Sequence, residues 1–168
     1  MRRYSLSILL PMLLAFLLYL IYRPDTTVLN VMFDGLLDSS FSRWRLELQQ
    51  SAPLPSVLFN CLPEGLWLFS ATLVARQLFI RTADRKVPLV LMPLAFAFLL
   101  EFCQLGGLTD GTFDALDLTS ASIGAAAAFL FSKRYLDQER LQKHVPVNLS
   151  LMAVLFASVY LADVLTKA

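Results

Sequence analysis

The chain has 168 residues, 57% of them hydrophobic and 16% charged, with a mean hydropathy of +0.63. Soluble domains carry about 25% charged residues to cover a water-facing surface, so this composition excludes a disordered tail and a disulfide-stapled secreted module. It points to a lipid bilayer. Fourteen Lys and Arg against thirteen Asp and Glu also leave no net field to attract nucleic acid.

The apolar residues are grouped in long runs. Ser5 to Tyr22 carries no charge, and Pro55 to Ala75 carries only Glu64. Val87 to Gln104 carries only Glu101, Leu118 to Ser132 carries none, and Val145 to Ala162 carries none. Crossing the hydrocarbon takes about 20 residues at a rise near 1.5 Å each. The two-residue alternation of a barrel strand is missing from these runs. The prediction is an all-α, single-domain polytopic bundle with five transmembrane helices near 5–22, 55–75, 87–104, 117–133 and 145–163. The first is read as uncleaved, because its exit, Tyr19-Leu20-Ile21-Tyr22-Arg23-Pro24, carries interfacial aromatics where a signal peptide needs small residues.

The connection 23–54 is the longest. Phe41, Trp44 and Leu48 recur in it at helical spacing, which suits an interfacial helix with Trp44 at headgroup depth, a lid over a site, or a plain surface helix. Lys and Arg number ten in the N-terminus, second and fourth connections and four in the other segments. The positive-inside rule then places the N-terminus in the cytoplasm and the C-terminus outside. The expected location is a bacterial cytoplasmic membrane, crossed several times.

Carboxylates at membrane depth are costly, about 2.5–3.5 kcal/mol each on insertion scales, so their positions carry information. With this orientation Asn60 and Glu64 fall in the outer half of the second span, and Glu101, Cys103 and Gln104 at the outer end of the third. Asp110, Asp114 and Asp117 open the fourth, and Asp163 ends the fifth. Glu101 and Gln104 share a helix face at three-residue spacing, as do Asp114 and Asp117. Asp117 is favoured by the helix N-terminus it occupies. Ser120, Gly124 and Ala128 at four-residue steps form a small-residue packing surface. That surface predicts that the fourth span is central, with its acidic end in a shared external cavity. Pro63 lacks the amide for the carbonyl of Phe59, so a kink or break beside Glu64 is expected.

The run Leu100-Glu101-Phe102-Cys103-Gln104, then Gly111-Thr112-Phe113-Asp114-Ala115-Leu116-Asp117, then Gly124, resembles the signature of the VanZ-like membrane family. Asn60, Pro63 and Gly65 match the spacing of that family's second helix, and the resemblance spans Val57 to Phe131. Two positions depart from it: Gly111 stands where an Arg is common, and Ala121 where an Asn is common. The resemblance implies a cell-envelope protein connected with tolerance to teicoplanin-type lipoglycopeptides, an antibiotic-resistance context that carries no defined reaction.

Two functions follow as expectations. In the first, Asn60, Glu64, Glu101, Gln104, Asp114 and Asp117 line an external polar cavity that binds an envelope lipid or glycolipid. In the second, Glu101, Asp117 and Glu64 act as general acid and base on a lipid-linked substrate. No cofactor is expected and no metal site is assigned, since no phosphate loop or zinc spacing is present; a hard divalent cation between Glu101, Asp114 and Asp117 would favour the second function. The one histidine, His144, lies in the fourth connection, away from the acidic residues. The partners are the bilayer and the envelope ligand, with no nucleic acid. Cys61 and Cys103 are read as separate reduced thiols.

Overall fold

Leu, Phe and Ala dominate the long apolar runs, and in the computed structural model four of them fold as helices. The structure describes residues 2–37, 40–81, 86–109 and 113–135, together with 150, 151, 153, 154 and 157. The elements are α1 (Arg2–Tyr22), α2 (Val28–Leu36), α3 (Ser40–Ser51), α4 (Ser56–Ala75), β1 (Phe79–Arg81), β2 (Lys86–Pro88), α5 (Met92–Leu105) and α6 (Ala115–Tyr135). The fold is mostly helical. Of the fifth predicted span, residues 150, 151, 153, 154 and 157 are helical, and Leu151 packs on the core. Asp163, Asp110 and His144 lie outside the described residues.

By length and composition, two helices among the described residues can cross a bilayer, Ser56–Ala75 and Ala115–Arg134. Twenty residues rise about 30 Å, the thickness of a hydrocarbon core. The apolar stretches Leu6–Tyr22 and Met92–Leu105 are shorter. The third run departs most from expectation: its first residues pair as a strand, and the helix begins only at Met92. Phe79, Ile80 and Arg81 face Pro88, Val87 and Lys86 in an antiparallel ladder. Pro88 sits at the strand's end and Pro93 in the first helical turn, both positions where a missing amide costs little.

The central helix is α4, not α6. It packs against α1, α5 and α6, and from Trp67 to Ala75 only Phe69 escapes full burial. Pro63 does not break it: α4 runs unbroken from Ser56 to Ala75, with Pro63 itself buried. The small-residue surface of α6 is the seam with α4. Ala121, Gly124, Ala125, Ala128 and Ser132 are buried, while Ala126 and Ala127 point outward. At the far end of the seam Arg76 donates to the Phe129 carbonyl (3.0 Å) and to Ser132 Oγ, with its guanidinium 5.0 Å from the centre of the Phe129 ring.

The connection 23–54 holds two helices. Tyr19 and Leu20 of α1, Leu29 of α2 and Phe41 of α3 form a second small core. The face of α3 marked by Phe41 and Leu48 is turned in: Phe41 is buried and Leu48 half-buried, while Trp44 stays exposed. The most deeply buried residue of α3 is Arg45, 1% exposed.

Candidate functional site

Because α1 and α5 run against α4 and α6, one end of the bundle collects the C-termini of α1 and α5 and the N-termini of α4 and α6. The acidic residues meet there. Glu101 Oε2 accepts a hydrogen bond from the Asp114 amide at 3.0 Å, which ties the end of α5 to the start of α6. Asp114 Oδ1 in turn accepts from the Leu116 amide at 2.8 Å. This is the geometry of a helix N-cap, where a short carboxylate takes one of the first unpaired amides.

Asp117, one turn into α6, reaches across the seam to α4. Ser120 Oγ donates to the Cys61 carbonyl at 2.6 Å. The Cys61 sulfur and carboxylate oxygens of Asp114 and Asp117 all lie within 4.8 Å of one another. Cys61 is buried; Asp114, Asp117 and Glu101 are half-buried. Among the described residues Asp117 Oδ1 is buried with no hydrogen-bond partner, as is Gln104 Oε1. The Asp114 and Glu101 charges repel that of Asp117, while Arg23 attracts it.

Of the six residues expected to line the site, Glu101, Asp114 and Asp117 come together. Asn60 and Glu64 are half-buried on α4, beside and one turn beyond Cys61. Among the described residues no hydrogen bond joins Asn60 to these carboxylates. Gln104 sits one turn beyond Glu101 at the end of α5. The structure adds two residues. Arg23 follows α1 directly and was visible in sequence only as a topology charge. Cys61 stands four residues before Gly65 and was read as plain core. The matching intervals Cys61–Gly65 and Asp117–Ser120–Gly124 are the signal that pairs these faces, since four-residue steps stay on one side of a helix. Both cysteines are free thiols.

One thiol and two carboxylates are donor types that can hold a divalent transition metal. Here Asp114 already caps α6. Asp114→Ala is expected to lower stability by about 1 kcal/mol, the usual value of a lost N-cap. Asp114→Asn, which keeps an acceptor oxygen, should stay within a few tenths of the parent. Thermal unfolding of the three proteins in one detergent measures the difference.

Family models, curated proteins and solved structures were compared with the chain, and none matches it.

Proposed function

We propose that this chain is a VanZ-like multi-pass membrane protein of the cell envelope. Its N-terminus lies in the cytoplasm, and the end carrying Asp117 faces outward. There it binds an envelope lipid or glycolipid and contributes to tolerance of teicoplanin-type lipoglycopeptides. The observation that carries this reading is the convergence of Cys61, Glu101, Asp114 and Asp117 from three helices on one end of an otherwise apolar bundle. Charges are expensive at such depth and mark functional sites when they cluster. The apolar surface of α6 supports the bilayer part of the reading, because only 22% of its most apolar window is buried inside the protein. With the second and fourth runs as spans, the first, third and fifth complete a five-helix bundle.

Carboxylate-dependent chemistry on a lipid-linked substrate is the second reading. It is favoured by Asp117 Oδ1, a buried oxygen with no hydrogen-bond partner among the described residues.

The two carboxylates differ in how they can be tested. Glu101→Gln retains an oxygen for the Asp114 amide, and Asp117→Asn retains the volume and one acceptor, so both proteins should insert and fold like the parent. In a lipoglycopeptide-sensitive host the parent chain is expected to raise tolerance. Asp117→Asn should return it to that of cells without the chain, and Glu101→Gln should lower it partway. Full tolerance with both substitutions present would remove the acidic end from the function.

A further inference from the structure

We infer that α2 lies in the outer leaflet, its apolar face among the lipid headgroups and upper acyl chains, with α3 above it facing water. The inference rests on the membrane reading just given.

It begins with an inverted pattern. A helix on a water-soluble surface turns its polar residues outward. In α2 the outward stripe is Val31, Met32 and Leu36, exposed by 47%, 51% and 71%, with Gly35 between them. No polar side chain shares it. The two polar residues of the helix are turned inward. Asn30 Nδ2 donates to the Pro24 carbonyl at 2.9 Å, and Asp34 Oδ1 accepts from the Ser42 amide at 2.9 Å. Asp34 also accepts from the Ser42 hydroxyl. The sequence has thus spent its polar groups on fixing α2 and left its free face wholly apolar.

The next helix has the ordinary pattern. The outward face of α3 is mostly polar: Arg43, Glu47 and Gln50 are exposed on it, with Leu46 among them at 53%. Trp44, 46% exposed, stands at its margin, its ring 5.9 Å from that of Phe41, which in turn contacts Phe33 of α2 at 5.2 Å. An indole between an apolar and a polar face is at home at the headgroup boundary. Nine residues rise only about 13 Å, so α2 cannot cross. It can lie flat, as amphipathic interfacial helices do. Lipid is favoured over a protein partner by nearness: only five residues separate α2 from α1, whose outward residues Leu10, Leu13, Leu14 and Leu17 are also apolar and exposed.

The two tryptophans of the chain, Trp44 and Trp67, allow a direct test. In a Trp44→Phe, Trp67→Phe background a single indole is introduced by Leu36→Trp or by Glu47→Trp. Each full-length protein is reconstituted in phosphatidylcholine vesicles with brominated acyl chains. The Leu36→Trp indole should be quenched several-fold more by bromolipid than the Glu47→Trp indole, and aqueous iodide should give the opposite order. Equal iodide quenching at both positions in a protein that resists carbonate extraction would overturn the inference and leave the membrane reading intact. Shielding of the Leu36→Trp indole from both quenchers would place a second chain there and overturn it equally. Release of the chain by carbonate would defeat the membrane reading itself. If the double Phe background misfolds, Leu36→Cys and Glu47→Cys in the Cys103→Ser chain give the same comparison, with an impermeant maleimide expected to label only the second.

Discussion

Gly124→Ala is expected to destabilise the bundle by about 3 kcal/mol, the upper end of what overpacking usually costs. The reason is the closeness of α4 and α6 where Gly65 and Gly124 cross. A Cβ on Gly124 would run into the Gly65 carbonyl, a backbone group with nowhere to go. Relief requires the two helices to separate along the seam that buries Ala121, Ala125 and Ala128. Small residues at such crossings let backbones approach and are the main source of cohesion where the surroundings are as apolar as the interface. Gly65→Ala should cost less, about 1–3 kcal/mol. Its Cβ would lie 2.6 Å from Ser120 Oγ and 2.9 Å from the Ser120 carbonyl. The hydroxyl can rotate away, at the loss of its bond to Cys61. Gly35→Ala is the control, with nothing within 4 Å of the added carbon. Gly35 is the next-to-last residue of α2, so the change should add no more than about 0.5 kcal/mol of stability, the low end of the value for a helix interior. Thermal unfolding followed by the emission of Trp67, buried in α4, ranks the three. A Gly124→Ala protein that unfolds with the parent would mean that the seam is not tight.

How much of this could be read from sequence depends on which physical signal each feature leaves. Ser120, Gly124 and Ala128 announced a packing surface by size and spacing, and the structure places that surface against α4. It did not announce that α4 would be central, because periodicity names a face but not its partner. The acidic end was legible for a similar reason: Glu101, Asp114 and Asp117 interrupt apolar runs at their ends, and alternating helices bring those ends together. Cys61 left no such trace, being as apolar as its neighbours by composition. The short pairing of Phe79–Arg81 with Lys86–Pro88 was hidden by hydropathy, which scored Val87-Pro88-Leu89-Val90 as the start of a span. The connection 23–54 was half legible. Its α3 was found by the spacing of Phe41, Trp44 and Leu48, but which way that face turns was left open, because the decisive residue is a buried arginine that any hydropathy scale counts as exposed.

Arg45→Ala is expected to cost about 3 kcal/mol and to unfold the α2–α3 segment before the bundle. The Arg45 guanidinium lies over the C-terminal end of α1, where the last carbonyls of a helix lack partners and the dipole is negative. Its Nε and Nη2 donate to the Ile21 carbonyl at 3.1 and 3.0 Å, and Nη2 also donates to the Arg23 carbonyl. Nη1 pairs with Asp25. The two sides of that ion pair are unequal: the Arg45 side chain is 2% exposed and that of Asp25 68%. Asp25→Ala therefore strands nothing, since water screens and solvates the exposed partner, and should cost less than 1 kcal/mol. Truncating Arg45 removes several donors and opens a cavity beside Phe41, whose ring centre lies 5.8 Å from the guanidinium. Large-to-small changes at buried positions cost about 2–5 kcal/mol. The loss stays below the top of that range because Gln49 Nε2 still donates to the Ile21 carbonyl at 2.6 Å. Arg45→Lys keeps the charge but not the planar fork, so one ammonium must choose between carbonyls, at a cost of about 1–2 kcal/mol. Arg45→Met restores most of the volume without any donor and separates packing from hydrogen bonding. If donors dominate, it should sit close to alanine; if volume dominates, close to lysine. Trp44 reports the segment and Trp67 the bundle, so one denaturation series reads both. In the parent protein the two signals should change together, and in Arg45→Ala the Trp44 transition should come first. Coincident transitions in that variant would show that the arginine does not hold the segment to α1. Arg45 and Asn30 both bond the Arg23 carbonyl, so together they fix the backbone where the chain leaves α1.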